Sequence, residues 1–213
     1  MLIVHGTAHR LHDPSPAMAR AGYPPNFDLA DRVDVVLNSL RSRGAHELQP
    51  AGDAGLAPIA RVHPADYLNF LQTAWDRWPH DRGAELALPQ FWPRPGTAAG
   101  GMPTRCPDSV VAQLGWFAGD AIAPLMAGTW AAAYESAQVA LSAQRAMAEG
   151  VRSALALCRP PGHHAGAARM AGYCYLNNAA IAAQAFIDGG MHRVAVLDVD
   201  YHHGNGTQEI FYE

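Results

Sequence analysis

Two polar clusters hold most of this chain's chemistry. The first reads Arg159-Pro160-Pro161-Gly162-His163-His164-Ala165-Gly166, the second Asp198-Val199-Asp200-Tyr201-His202-His203-Gly204-Asn205-Gly206. In an extended segment, residues two apart face the same way. Asp200 and His202 can therefore offer a carboxylate oxygen and an imidazole nitrogen to one divalent ion. A catalytic zinc takes about three protein ligands and keeps a position open for water; this pair supplies two. The adjacent His163 and His164 follow a stiff Pro-Pro-Gly turn. Facing an activated water, one can take a proton and the other give one. Each needs a partner on its other ring nitrogen, and Asp198 and Asn205 are the candidates.

Both clusters must be brought together by regular elements. Residues 153–158 and 193–199 are short apolar runs that end where the clusters begin, and both read as strands. The second (Val194, Ala195, Val196, Leu197) has the look of a strand buried on both faces of a parallel sheet. Leu2-Ile3-Val4 reads as another strand. The spacing predicts helices over 28–43, capped by Asp28; over 63–75; over 129–148, capped by Thr129 and ended by Gly150; and over 177–187, stopped by Gly189-Gly190. A further helix begins at Thr207, and residues 14–25 read as a loop. Alternating strands and helices imply α/β layers, with sites at the carboxyl ends of strands. An irregular stretch over 77–128 holds Pro79, Pro89, Pro93, Pro95, Pro103, Pro107 and Pro124 with Phe91, Trp92, Trp116 and Phe117. It reads as a packed surface loop, a wall of a substrate site or a contact between copies.

Composition narrows the class. The 213 residues suit one large domain or two small ones and are enough for a sizeable core. A charged fraction of 16% excludes a charge-rich disordered chain, and a formal charge of −4 argues against a nucleic-acid partner. No apolar run reaches the roughly 18 residues of a membrane helix, and the start lacks signal-peptide features. Cys106, Cys158 and Cys174 form no CxxC pair, which points to a reduced, cytoplasmic setting.

The segments RPPGHHAG (159–166), GYCYLNNAA (172–180) and LDVDYHHGNGTQEIFYE (197–213) occur in this order, with weaker echoes in VHPADYLNFLQTAWDRW (62–78) and GTW (128–130). In these the chain resembles the histone deacetylase superfamily, and within it the bacterial acetylpolyamine amidohydrolases. The resemblance implies a three-layer arginase/deacetylase α/β fold with a parallel sheet. It implies a single domain over 1–213 with a loop insertion at about 77–128, and metal-dependent hydrolysis of an acetyl amide. It makes His163 and His164 the tandem catalytic histidines, oriented by Asp198 and Asn205. Asp200 and His202 become metal ligands, for Zn2+ or for Fe2+ or another divalent ion. Gly172 and Tyr173 become the channel that holds the substrate. Asp198, Asp200 and His202 also match contributors to a structural K+ site, and Arg32 matches an arginine lining an internal cavity. In relatives the third metal ligand, an Asp, and the oxyanion tyrosine lie beyond position 213. The chain therefore reads as an amino-terminal part, truncated at its C-terminus, and is expected to lack full activity alone.

The function expected is deacetylation of acetylated polyamines or a similar small acetylated amine. Glu85, Asp108 and Asp120 are candidates for reading a distal ammonium. The alternatives are an acetyl-lysine protein deacetylase, or an inactive fragment acting as a binding scaffold. A ureohydrolase is disfavoured because it needs a carboxylate-rich two-metal site. The long loop resembles the amidohydrolases' dimer-forming insertion and implies a homodimer, with neither nucleic acid nor membrane as partner. His5, His46, His63, His80 and His192 receive no role. His9 and His12 stand near an expected substrate-facing loop, His203 is expected to pack structurally, and Cys174 reads as a buried thiol.

Overall fold

The computed structural model describes residues 1–23, 26–44, 47–80, 85–92 and 105–212. Pro25, His46, Pro93, Pro95, Pro103 and the middle of the 77–128 stretch lie outside the described residues. Three strands, β1 (Leu2–His5), β2 (Leu48–Pro50) and β3 (Ala154–Leu157), form a parallel sheet in the order β2-β1-β3. Ile3 stands opposite Leu48 on one side and Leu155 on the other. The described helices are α1 (Ser15–Arg20), α2 (Arg32–Ser42), α3 (Ala65–Arg77), α4 (Val110–Phe117), α5 (Thr129–Ala148), α6 (Asn178–Asp188) and α7 (Asn205–Ile210).

The period-two alternation of β1 sorts its side chains onto two faces. Leu2 and Val4 pack on Val139 and Ala143 of α5, whereas Ile3 packs on Val33 and Leu37 of α2. The sheet thus lies between helical layers. Burying a side chain such as Ile3 contributes about 1.5–3 kcal/mol. The alanines of α5 let α6 lie close against it. A larger core joins α3, α4 and residues 165–176: Tyr67, Phe70, Phe117, Met170 and Tyr175 are buried together, with the Phe70 and Phe117 ring centroids 4.8 Å apart.

Several expectations change. The 14–25 loop contains α1, because Pro16 sits in a first turn that needs no proline N–H and Met18 is buried. Asp31, not Asp28, occupies the start of α2; Asp28 is buried in an ion pair with Arg159. Gly128 occupies the cap position of α5, and the Thr129 hydroxyl instead accepts the Met126 N–H. The last helix starts at Asn205 rather than Thr207. The irregular stretch contains α4 and an antiparallel bridge between Ala87 and Leu125, both buried. The largest correction is at 193–199. This run forms no strand and is exposed, Leu197 and Val199 each 86%. An apolar run is buried only where neighbours flank it, and among the described residues β3 pairs on one edge alone. No described helix is long and apolar enough to cross a membrane.

Candidate active site

The tandem-histidine loop is fixed at its root by two helices. The Pro160 carbonyl accepts from Ser136 Oγ of α5 (2.8 Å) and Asn178 Nδ2 of α6 (3.1 Å). The His163 carbonyl accepts the first free amides of α7, Gly206 N at 3.0 Å and Thr207 N at 3.2 Å. Asn177 ties these parts together. Its Oδ1 caps α6 by accepting Ala180 N, and its Nδ2 donates to Ala165 O and to Thr207 Oγ1, all at 3.0 Å. His63 supports Asn177: its Nε2 accepts the Asn177 N–H at 3.0 Å while its Nδ1–H donates to Ala167 O at 2.8 Å. Burial pushes the His63 imidazole down to about 4.

On this base the two histidines receive different partners. His163 Nδ1 donates to Asp198 Oδ2 at 3.0 Å, and His164 Nδ1 donates to Asn205 Oδ1 at 2.6 Å. Their ring centroids are 4.1 Å apart. With each Nδ1–H engaged, each Nε2 is left to handle a proton. The Asp200 N–H, then the His163 ring, hold the Asp198 carboxyl below the usual carboxylate range. The His202 N–H does the same for Asp200.

Asp200 Oδ2 lies 3.4 Å from His202 Nδ1 and 3.9 Å from His163 Nε2. Two ligand atoms on one tetrahedral zinc are about 3.3 Å apart, so the Asp200–His202 pair fits such an ion. Among the described residues no group of three or more His, Cys, Asp or Glu side chains is arranged to hold a metal.

Gly172 and Tyr173 form a tight turn beside His164, with φ of +52° and +66°. A Cβ on Gly172 would stand 2.2 Å from His164 Cδ2, so only glycine allows this approach. Gly172→Ala is expected to destabilise the chain by about 2 kcal/mol through steric displacement and backbone strain. Urea unfolding checks this; a loss under 0.5 kcal/mol would show that the turn moves aside freely.

These residues line an open cleft of about 1350 Å³ that includes His163, His164, Tyr173, Asp198, Asp200 and His202. Arg32 lines it too, 3.7 Å from Asp28. Of the three acidic candidates only Asp120 reaches the cleft. Glu85 is paired with Arg20, and Asp108 with Arg105. His9 and His12 are buried in the packing and do not line the cleft. His203 Nε2 meets Gln208 Oε1. Cys174 is buried, its thiol pushed up to about 12 by burial. Sequence reasoning missed His63, Asn177 and the buried Arg159–Asp28 pair. Only Asn177 carried a signal, as an asparagine at a helix start.

Helical layers about a parallel sheet, with paired histidines after a strand end, define an α/β deacetylase fold. The chain belongs to the histone deacetylase family: residues 28–213 match the histone deacetylase domain. It is similar to acetylpolyamine amidohydrolase 1 of Pseudomonas aeruginosa, 49% identical over 213 residues, covering 100% of this chain and 60% of that protein. The acetylpolyamine amidohydrolase of Mycoplana ramosa is 38% identical, with 100% of this chain and 61% of that protein covered. The crystal structure of acetylpolyamine aminohydrolase from Burkholderia pseudomallei superimposes with a TM-score of 0.85 at 40% identity, covering 100% of this chain and 60% of that one. The chain thus spans about 60% of the length of these relatives.

Proposed function

We propose that this chain carries the catalytic half-site of a metal-dependent deacetylase acting on acetylated polyamines or a similar acetylated amine. The observation that carries the reading is the pair of differently partnered histidines beside the Asp200–His202 pair. A zinc-like ion held by Asp200 and His202 would acidify water and polarise an amide carbonyl. His163, with Asp198 on its Nδ1, accepts the proton of the attacking water at Nε2. His164, with neutral Asn205 accepting its Nδ1–H, stands 4.1 Å away, ring to ring, to hand a proton from Nε2 to the leaving amine; the proton that His163 took from water makes this one good, so none is gained or lost over the cycle. Tyr173 walls the cleft for the alkyl stem. By the same resemblance a structural K+ would use carbonyls of the 198–202 segment. The homodimer is assigned to the 77–128 region, where Phe91 and Trp92 are exposed.

The test is acetate release from acetylputrescine and from an acetyl-lysine peptide, with zinc, iron or neither, by the wild-type chain and by His163→Ala. Metal-dependent release that vanishes in the variant supports the reading, and the preferred substrate decides between small amine and protein. Stoichiometric metal binding without any release would favour the scaffold alternative.

A further inference from the structure

We propose that Asp120 is a positioning residue that locks the Gly172–Tyr173 turn against His164, and that it does not read the charge of a substrate. What the turn serves rests on the deacetylase reading above; the lock itself rests on geometry.

Segment 117–120 runs beside residues 170–172. Met170 N donates to Phe117 O at 2.8 Å and Gly119 N to Met170 O at 2.7 Å. Beyond this point the backbone turns away. Ala171 and Cys174 exchange both hydrogen bonds, at 3.1 and 2.8 Å, around two residues of positive φ. That pattern is a two-residue hairpin of the I′ kind, which asparagine and glycine favour and tyrosine does not. The N–H of its first central residue has no partner within such a turn. Asp120 supplies one: Gly172 N donates to Asp120 Oδ2 at 2.7 Å. The other carboxylate oxygen accepts Ile122 N at 2.9 Å. The Gly172 carbonyl in turn accepts the Cys174 thiol at 3.2 Å.

Both ends of Gly172 are therefore held, in a turn whose tyrosine is strained. The turn also lies flush against a working histidine, since no Cβ fits between Gly172 and the His164 ring. A slip of the turn would move His164 and the Tyr173 wall together. Both Asp120 oxygens are already committed to backbone amides. An ammonium at this point would compete with bonds that the turn needs. Asp120 lines the cleft, but its acceptors are directed at the chain's own backbone.

The experiment compares the wild-type chain with Asp120→Ala and Asp120→Asn by amide hydrogen exchange and by binding. In Asp120→Ala the Gly172 amide should exchange about tenfold faster or more, with α5 and α6 unchanged. Asp120→Asn keeps one oxygen acceptor and should fall between. Affinity is then measured for acetylputrescine and for N-butylacetamide, which lacks the ammonium. Positioning predicts that Asp120→Ala weakens both by the same factor, roughly fivefold or more. Unchanged Gly172 exchange in Asp120→Ala would overturn the lock. A loss confined to acetylputrescine in Asp120→Asn would show that Asp120 reads charge after all. If the wild-type chain binds neither compound, the deacetylase reading falls, and the exchange comparison still decides the lock.

Discussion

Arg159→Met should remove about 3–5 kcal/mol of folding stability at neutral pH. Arg159 is the first residue of the tandem-histidine motif, yet its side chain is buried and does not line the cleft. Its guanidinium donates to His9 O at 2.6 Å and to Asp28 O at 2.7 Å, and its Nε lies 3.3 Å from Asp28 Oδ1. It thereby fastens the start of the histidine loop to two amino-terminal segments. Burial raises the Asp28 carboxyl above the usual range, and Arg159 is the main charge opposing that rise. Methionine fills similar volume but leaves the Asp28 carbonyl without its donor, the His9 carbonyl with only the His12 N–H at 3.3 Å, and a buried carboxylate with only the exposed Arg32 at 3.7 Å. Adding Asp28→Asn to Arg159→Met should restore part of the loss, because the unpaired charge is then gone. Urea unfolding of the three proteins decides it. A loss below 1 kcal/mol in the single variant would mean that the pair is balanced by its own desolvation and fastens nothing.

The chain's sequence shows its own chemistry more readily than its own scaffold. Asp200 and His202 lie two positions apart, so type and spacing were enough to nominate them, and Asp198 and Asn205 flank them as candidate partners; which histidine each of these two serves came from the resemblance to the deacetylase family. β1 and α5 were legible because each has a strong pattern and a clear end: Leu2-Ile3-Val4 in one, an alanine-rich run closed by Gly150 in the other. Helix α4 was hidden because VVAQLGWF is apolar nearly all round and shows no stripe. The exposed 193–199 run was misread for the opposite reason. Its apolar pattern is real, but burial belongs to the neighbours and not to the strand. The positioning groups were invisible since their partners are far away in sequence: Arg159 and Asp28 are 131 positions apart, His63 and Asn177 are 114. No local pattern encodes such contacts.

Stability should fall as pH drops below 6.5, well before the ordinary carboxylates titrate. The main cause is two buried neutral histidines, and His9, lowered by burial as well, adds in the same direction. His63 accepts a backbone N–H at Nε2, so it has no place for a second proton. His12 is similarly fixed. The Tyr175 hydroxyl donates to Pro124 O and so receives the His12 Nε2–H, leaving Nδ1 to accept from Thr129 Oγ1. Burial, then the nearby Arg159 charge, pushes His12 down to about 3; burial takes His63 to about 4. Both values are depressed below the 6.5 of an unfolded histidine. The unfolded chain therefore binds more protons between these limits, and stability rises with pH across the window. It is complete above about 6.5 and is lost progressively from there toward pH 4. At pH 4.5 each histidine should account for about 2–3 kcal/mol of loss. Asp28 opposes this in part, since its raised carboxyl takes up a proton more readily in the folded state. Exposed carboxyls such as Asp188, held low by Arg61, weaken only at lower pH. Urea unfolding at pH 7.5, 6.5, 5.5 and 4.5 measures the slope. His63→Gln separates the contributions, because an amide can donate to Ala167 O and accept from Asn177 N without ever charging. That variant should lose about half of the acid slope while staying folded at pH 7.5. A wild-type stability that is flat from pH 7.5 to 4.5 would mean that both rings find water on protonation, and that neither clamp holds the neutral form.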